Sequence, residues 1–358
     1  MKTAILAVLL FCIMIFPHEL GHFLAAKRMG VRVLEFAFGM GPTIWKHQGK
    51  ETLYSIRLFP VGGFCAMDGE EAEEESEVKA EEGGPAAEHG EPDPRTFEAQ
   101  KPWRKIIILV AGSVMNILCA ILIMSLIFGI SGFTTNRIGE VAPGSPAETA
   151  GLQSGDKITA IDGNAVKTWS DVMTYMPADG SAVKMTVDGS DGNRTVQIQP
   201  VLQQMTDANG QDAGERYVIG ITSKISHSPA KALVDGCEAT WNIVKLMFKS
   251  IGMLFSGEAG AEDLSGPVGM VQMVSQTETL GFWYYGFLIA LICVNLAIIN
   301  MLPLPALDGG RILFVIFTMI TGKKVSAKVE GTVHMIGMAL LFGLMIYVTL
   351  NDVTRIFG

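Results

Sequence analysis

Residues 3–26 read TAILAVLLFCIMIFPHELGHFLAA, an apolar run whose second half contains the motif HELGH at residues 18–22. About 20 apolar residues are enough for a helix to cross a bilayer. Ionisable side chains inside such a helix cost about 2–3 kcal/mol each on the mild insertion scale, so three at this spacing need a compensating interaction. Positions i and i+4 share one face of a helix, so His18 and His22 can bind one metal ion. Glu19 lies beside that face, where it can accept a proton from an attacking water molecule.

The composition favours a membrane protein. Of the 358 residues, 49% are hydrophobic and only 18% are charged, against about 25% charged residues in ordinary soluble domains. The formal net charge of −9 arises from residues 68–93, which hold twelve acids and one lysine. Nothing in the sequence is strongly basic, and we therefore expect no nucleic-acid partner.

Four stretches are long and apolar enough to span a bilayer: residues 3–26, 106–130, 282–302 and 333–350. The first, taken alone, is also compatible with a signal peptide that has Lys2 as its charge. The motif at its end and the three later stretches argue against that reading. The lipid bilayer is therefore an expected partner of the whole chain.

Loop charges set the predicted orientation, because basic residues are enriched in cytoplasmic loops. The connections between the first and second stretches and between the third and fourth are both rich in lysine and arginine. We expect both connections to be cytoplasmic, with both termini and the long region between the second and third stretches outside. The C-terminal ends of the first and third stretches then lie on the same, cytoplasmic side.

A catalytic zinc ion usually has three protein ligands and an open position for water. Residues 300–310, at the end of the third stretch, read NMLPLPALDGG, and Asp308 is the acid just past an otherwise acid-free apolar run. Pro303 and Pro305 cannot continue a regular helix, and broken backbone at membrane depth is tolerated where it lines a polar cavity. The alternative for Asp308 is a simple Asp-Gly bend at the interface.

These motifs together resemble the site-2 protease family of intramembrane zinc metalloproteases, in its bacterial RseP/RasP type with a single PDZ domain. HELGH in the first membrane helix and N-x-x-P-x-P-x-L-D-G in the third are the most specific elements. The further matching segments, in chain order, are FGMGP at 38–42, FPVGGF at 59–64, GSVMN at 112–116 and SGPVG at 265–269. The resemblance covers nearly the whole chain except the acidic insert.

The resemblance implies a role for each motif residue. It assigns His18, His22 and Asp308 as Zn2+ ligands and Glu19 as the general base. Asn300, Pro303 and Pro305 match positions that contact or clamp the substrate strand. A polar residue such as Asn300 near a helix break is also expected simply to satisfy freed backbone groups.

Residues 139–224 are rich in turns and resemble a circularly permuted bacterial PDZ domain. The order predicts a short helix from the capping box SPAE at 145–148, a strand at 157–161, a tight turn at Asp162-Gly163, a helix at 170–176 and paired strands at 183–187 and 195–198. PDZ grooves add a peptide to a sheet edge, and we expect that edge near residues 138–141, facing the second helix. A steric lid without bound peptide is the open alternative.

The remaining segments are less specific. The Glu-rich insert lacks the apolar residues that folding needs, so we expect a disordered cytoplasmic loop. Residues 229–255 predict an amphipathic helix at the membrane surface or packed before the third stretch. The cysteines at 12, 65, 119, 237 and 293 are scattered without a C-x-x-C pair, which argues against a disulfide framework or a thiolate zinc site.

The predicted fold is a polytopic α-helical membrane protein with four transmembrane helices, a membrane-associated β segment and an inserted extracytoplasmic PDZ-like α+β domain. The predicted parts, in order, are the first transmembrane helix (1–30), the β region (31–67), the acidic insert (68–100), the second transmembrane helix (101–131), the PDZ-like domain (132–225), the amphipathic helix with a re-entrant element (226–280), the third transmembrane helix (281–310), and a cytoplasmic connection with the fourth (311–358).

The expected function is that of an intramembrane endopeptidase in a bacterial cytoplasmic membrane, with its active site towards the cytoplasm. By resemblance, its substrates are single-span membrane proteins already trimmed by another protease, either anti-sigma factors or signal-peptide remnants. The β segment at 52–64 is expected to hold the substrate extended. The main rival is a non-catalytic membrane scaffold with a structural metal and a PDZ module, for which Glu19 would have no use. A metal transporter would need several polar residues along a pathway, and the apolar stretches show one cluster.

Overall fold

The computed structural model describes residues 2–70, 93–190, 192–206, 212–258, 260, 266–323 and 325–357. The chain divides into two compact units, one of residues 1–127 and 233–358 and the other of residues 128–232. In chain order the elements are α1 (Lys2–Met29), β1 (Val33–Gln48), β2 (Leu53–Met67), α2 (Pro102–Ser131), β3 (Phe133–Val141), α3 (Pro146–Thr149), β4 (Lys157–Ile161), β5 (Asn164–Ala165), α4 (Trp169–Tyr175), β6 (Val183–Gly189), β7 (Gly192–Ile198), β8 (Val201–Thr206), β9 (Asp212–Val218), β10 (Ile221–Ser226), α5 (Pro229–Ser256), α6 (Pro267–Leu280), α7 (Phe282–Asn300), α8 (Asp308–Thr321) and α9 (Ala327–Phe357).

Four of the described helices are long and apolar enough to cross a membrane. Their apolar spans are Ile5–Met29 in α1, Pro102–Ser131 in α2, Trp283–Asn300 in α7 and Lys328–Thr354 in α9. The surface of α2 shows what such a helix faces, because large apolar side chains are exposed at every fourth position, at 114, 118, 122 and 126. A continuous apolar stripe of this kind is unfavourable in water and suits lipid. The prediction of a multi-pass membrane protein is confirmed.

Helices α1 and α2 meet through glycine. A Cβ on Gly21 of α1 would collide with the Ala111 carbonyl of α2, and a Cβ on Gly112 would collide with the rings of His18 and His22. Membrane helices commonly use small residues in this way, because dispersion contacts and hydrogen bonds replace the hydrophobic effect between helices. Gly112 therefore provides the space that the two histidine rings occupy.

Strands β1 and β2 form a hairpin that bends back on itself. Residues 35–38 pair with 63–66 on one side and with 53–56 on the other, while 45–48 pair with the outer side of 53–56. The hairpin thus has four strand segments side by side, and residues 63–66 form one of its edges. Within the predicted substrate-holding segment at 52–64, only residues 53–56 are paired on both sides, and the outer edge begins at residue 63.

The third membrane helix breaks where the two prolines predict. Helix α7 ends at Asn300, the chain turns through residues 301–307, and a separate helix, α8, begins at Asp308. Helix α8 is 14 residues long and was not foreseen, because residues 311–358 were assigned to a connection and the last span. Asp308 is therefore the first residue of a new helix rather than the end of the third.

Both ends of the predicted disordered insert, residues 68–100, are ordered in the structure. Arg32 donates hydrogen bonds to Asp68 (3.0 Å) and Asp93 (2.6 Å), and the Phe97 N–H donates to the Asp68 carbonyl at 2.7 Å. The expectation of disorder across 68–100 is thus wrong at both ends, where backbone and ion-pair contacts hold the chain. Residues 71–92, on which the rest of that expectation falls, lie outside the described residues.

The second unit is an α+β domain with a six-stranded sheet. Its strands run in the order β10-β3-β4-β6-β7, and β5 pairs with β4, while β8 and β9 form a separate hairpin. The strands at 157–161 and 183–189, the turn at Asp162-Gly163 and the helix Trp169–Tyr175 agree with the sequence prediction. Ser145 caps the helix as predicted, since the Glu148 N–H donates to its side chain. The Glu148 carboxylate accepts from the Gly144 N–H rather than from the Ser145 N–H that a full capping box would use. A core of alternating strand residues, including Ile138, Ile158 and Met185, is fully buried.

The predicted PDZ edge is wrong. Residues 138–141 belong to β3, which is an inner strand: Ile138 is paired with Ser223 and Val141 with Ile221 of β10. The chain segment after the β8–β9 hairpin thus returns to cover the position that was expected to be open. The described sheet ends instead at β10 on this side, so any peptide that extends the sheet here would pair with β10.

Substitution of Gly112 tests the packing between α1 and α2. We expect Gly112→Ala to lower the free energy of unfolding by about 1–3 kcal/mol, because the added methyl group overpacks a filled site. Thermal unfolding in detergent measures the change. Gly343→Ala is the matched control, because a Cβ at Gly343 meets nothing within 4 Å. Equal midpoints for the two variants would show that Gly112 is not needed for the approach.

Candidate metal centre

Three predicted ligands converge in the first unit. The Nε2 atoms of His18 and His22 lie 3.2 Å apart, and the Asp308 Oδ2 atom lies 3.3 Å from the first and 3.4 Å from the second. Both histidines are buried, each with 7% of its surface exposed. Among the described residues, these three form the one cluster of histidine, cysteine and acidic side chains that could hold a metal ion.

The separations fit a tetrahedral ion of the size of zinc. Metal–ligand bonds of about 2.0–2.1 Å to nitrogen and oxygen give a tetrahedron edges of about 3.3–3.4 Å, which matches all three distances. The Asp308 Oδ2 atom is buried and has no hydrogen-bond partner among the described residues. A bound cation would satisfy this oxygen and both imidazole lone pairs, and two imidazoles with one carboxylate suit zinc.

The surrounding backbone orients one histidine. The His22 Nδ1 atom lies 2.9 Å from the Ile108 carbonyl oxygen, so Nδ1–H donates and the Nε2 lone pair is free for a metal. The His18 Nδ1 atom has no such partner in the described part of the chain. Asn116, one turn beyond Gly112 on α2, is fully buried and also lacks a described hydrogen-bond partner.

The ligands open onto a cavity of about 520 Å³. Glu19 lines this cavity beside His18 and His22, and residues 64–67 of β2 form another part of its wall. A Cβ on Gly63 would lie 3.6 Å from the Glu19 Cγ atom, so the hairpin edge passes directly beside the carboxylate. The predicted base and the backbone edge therefore share one polar chamber.

The three predicted substrate-contacting residues are placed differently from one another. Asn300 lines the cavity, and its amide Nδ2 atom lies 3.1 Å from the His18 Nε2 atom. Pro303 is exposed in the loop after α7, and Pro305 is half-buried. Neither proline is among the residues that line the cavity. The structure thus brings Asn300 to the centre but keeps the two prolines within the loop that leads to Asp308.

Sequence reasoning missed an ion pair in the cavity wall. Arg311, three residues after Asp308 on α8, donates a hydrogen bond to Glu70, which follows the end of β2. Burial raises the pKa of the Glu70 carboxyl, and the Arg311 guanidinium opposes that shift. The pair links the hairpin end to the helix that carries Asp308.

The sequence contains a cue for Arg311 but none for Glu70. Arg311 is the one charged residue between Asp308 and Lys323, and a lone cation beside an apolar run could have been flagged. Glu70 stands in a segment full of acids, and nothing local distinguishes it from its neighbours. Only the position of the hairpin end makes it a cavity residue.

Comparison with known proteins gives the family. The model of peptidase family M50 matches residues 6–344. The chain belongs to peptidase family M50. A Clostridium acetobutylicum protein with a provisional zinc metalloprotease name is 34% identical over 98% of this chain and 96% of its own length. The regulator of sigma-W protease RasP of Bacillus subtilis is 29% identical over 99% of each chain.

Family membership confirms several expectations. The predicted site-2 protease resemblance, the enzyme class of metallopeptidase and zinc as the metal are borne out.

Among solved structures, the PDZ domain of an SdrC-like protein from Listeria monocytogenes is 30% identical to this chain. The match covers 26% of this chain and 86% of that domain, with a TM-score of 0.19.

Substitution of Asp308 tests its place in the ligand set. Asp308→Asn keeps the side-chain volume but removes the charge, so we expect the zinc dissociation constant to rise by more than about 100-fold, beyond the usual effect of a group that only orients a ligand. Competition with a chromophoric chelator measures it in detergent. Asp179→Asn, in the other unit, is the matched control. An unchanged affinity would exclude Asp308 as a ligand.

Proposed function

We propose that this protein is a zinc-dependent endopeptidase that cleaves peptide bonds within transmembrane segments of other proteins. The observation that carries the proposal is a triad of side chains that could hold a metal ion, with Glu19 beside it, in a cavity whose wall includes a β edge that no other described strand pairs with. The ligands lie on helices that can span the membrane or adjoin a span. Hydrolysis at this place therefore acts on a substrate inside the bilayer.

His18, His22 and Asp308 would hold the zinc ion. When bound, zinc supplies a Lewis acid that polarises the substrate carbonyl and activates water. Glu19 then accepts the proton of the attacking water and delivers it to the leaving amide nitrogen, which completes the hydrolysis of the C–N bond.

Residues 63–66 would align the substrate. A transmembrane helix has its peptide bonds hydrogen-bonded internally, so it must unwind before one can be hydrolysed. An unwound strand can pair with the hairpin edge, which places its backbone beside Glu19. Asn300 is suited to contact this strand. Its amide now donates to the His18 Nε2 lone pair, which a metal ion would occupy, so metal binding would leave the amide available for the substrate. Pro303 and Pro305 would help indirectly, by holding the loop in its broken path.

The substrates are proposed to be single-span membrane proteins whose outer part another protease has already shortened. The Bacillus subtilis relative is named regulator of sigma-W protease RasP, which favours a membrane-bound anti-sigma factor over a signal-peptide remnant. The second unit would exclude longer substrates by size or bind a trimmed end at β10. The basic loops favour a topology with this unit and both termini outside the bacterial cytoplasmic membrane and the metal centre towards the cytoplasm.

A metal-stabilised scaffold with a PDZ module is the weaker alternative. A structural zinc site is normally closed by four protein ligands, whereas the described cluster has three ligands and an adjoining cavity. Glu19 is beside the cluster and is not one of its ligands. An open position with a carboxylate beside it suits catalysis.

Substitution of Glu19 separates catalysis from metal binding. We expect Glu19→Gln to lower kcat by about 10²–10⁴-fold, the usual contribution of a positioned acid or base, while zinc content stays at that of the wild type. Cleavage of a tagged, pre-trimmed anti-sigma-factor reporter by the full chain in detergent measures kcat, and metal analysis runs on the same samples. Glu140→Gln, at an exposed position of the second unit, is the control.

Each outcome of that experiment has one reading. Cleavage inside the apolar span by wild type and Glu140→Gln alone supports the proposed function. Equal cleavage by Glu19→Gln would remove Glu19 as the base and point to a contaminating protease. If wild-type protein binds zinc but cuts neither this reporter nor a panel of other single-span reporters, the scaffold alternative gains.

Cysteine labelling tests the orientation. In a variant whose native cysteines are replaced by alanine, we expect Asp179→Cys to react with a membrane-impermeant maleimide on intact cells. Lys323→Cys should react only after the cells are opened, because the basic loop that contains it is placed in the cytoplasm. The opposite labelling pattern would invert the proposed topology and put the metal centre near the outer face.

A further inference from the structure

The loop between α7 and α8 carries Asp308 into the centre along a strained path. Ala306 has a φ angle of +71°, a left-handed conformation that residues other than glycine, asparagine and aspartate seldom adopt. Such strain costs about 1–3 kcal/mol and persists only where the surroundings hold the backbone in place. Ala306 lies two residues before Asp308. The contacts that hold Ala306 therefore also fix the backbone position from which the Asp308 side chain extends.

One side chain of the last membrane helix holds this turn. The Ala306 N–H donates a hydrogen bond of 2.8 Å to the Nδ1 atom of His334 on α9. Because Nδ1 accepts, His334 carries its proton on Nε2 and is neutral. Its ring also contacts Phe314 of α8, with ring centroids 5.6 Å apart. His334 therefore connects the loop and the helix on both sides of Asp308.

Close packing restricts the loop on two sides. On one side, a Cβ on Gly337, one turn beyond His334 on α9, would collide with Pro305. On the other, Cβ atoms on Gly309 and Gly310 would collide with the backbone carbonyls of Leu302 and Leu304. The loop is thus enclosed between the start of α8 and one face of α9, and the His334 bond is its polar anchor there.

An uncharged histidine in a membrane helix calls for a specific reason. Ionisable side chains within spanning helices tend to be functional, and freed backbone N–H groups in a broken helix must find partners. His334 is far from the metal triad in sequence and is not one of its members. Its described hydrogen bond goes to the backbone of the loop that presents a ligand.

We propose that His334 is a positioning residue of the metal centre: by accepting the Ala306 N–H, it fixes the turn that presents Asp308. The inference rests on the proposed function only where it predicts that replacing His334 slows cleavage. The predicted loss of zinc affinity can be measured without any substrate. If His334 had a purely structural role, its replacement would lower the free energy of unfolding. The zinc dissociation constant and kcat of the folded protein would not change.

The experiment compares four variants of the full chain in detergent. His334→Leu removes the acceptor while keeping an apolar bulk, His334→Asn restores an acceptor near the position of Nδ1, and Met335→Leu introduces the same residue at a neighbouring exposed site. Zinc dissociation constants, kcat and KM on the pre-trimmed reporter, and hydrogen exchange of a peptide spanning 301–310 are measured for each. Gly337→Ala displaces Pro305 without touching His334 and serves if His334→Leu does not fold.

We expect His334→Leu to raise the zinc dissociation constant by about 10–100-fold, as groups that orient metal ligands do. kcat should fall by a similar factor with KM within about twofold, because the substrate edge on β2 is unchanged. Exchange in 301–310 should become faster. His334→Asn should recover zinc affinity to within about threefold of wild type, and Gly337→Ala should behave like His334→Leu.

The inference is wrong if folded His334→Leu binds zinc as tightly as Met335→Leu, or if His334→Asn is as impaired as His334→Leu. Where His334→Leu does not fold, unchanged zinc affinity in Gly337→Ala overturns it equally. The proposed function fails separately: if wild type cuts no reporter but zinc affinity still depends on the acceptor at 334, the positioning role stands without the protease role.

Discussion

The rest of the structure depends on the requirement that every polar group placed at membrane depth must have a partner there. The first membrane helix carries the buried His18 and His22 and the half-buried Glu19 in an otherwise apolar run, where desolvation of polar groups is costly. The two imidazoles converge with Asp308, at a place where one cation would satisfy all three groups at once. The packing of the helices, the loop between α7 and α8 and the adjoining cavity together bring the Asp308 carboxylate beside the two histidines.

Small residues make this convergence possible. Gly21 and Gly112 let α1 and α2 approach until the histidine rings fill the gap, and Gly309 and Gly310 let α8 start directly against the preceding loop. A side chain at any of these positions would occupy space that belongs to a backbone carbonyl or to an imidazole. The centre is therefore built by backbone proximity, which fixes the ligand positions more rigidly than long side chains could.

The cavity combines an exposed backbone edge with a proton acceptor. An open strand edge is normally a liability, but residues 63–66 lie beside Glu19, where a second strand would be useful. The Glu70–Arg311 pair joins this edge to α8, so the surface that would align the substrate and the helix that bears Asp308 are mechanically connected. The organisation suits a peptidase that must first extend its substrate and then hydrolyse it.

The sequence by itself determined the features encoded at short range. The four spans follow from long apolar runs, the shared face of the two histidines from the i, i+4 spacing of HELGH, the break after α7 from two prolines, and the elements at 157–161 and 169–175 from turn and capping residues. Each depends on neighbours within one or two helical turns. Asp308 could be linked to the histidines because loop charges placed both helix ends on one side of the membrane.

Only the tertiary structure decided the contacts between distant segments. It placed β10 over the expected edge of the inserted domain, made Glu70 a cavity residue among many similar acids, started a new helix at Asp308, and joined His334 to Ala306. None of these depends on a local pattern, because each pairs residues that are tens or hundreds of positions apart in the chain. Their pairing is set by the shape that all the packed helices and strands reach together, and a local residue pattern does not contain that shape.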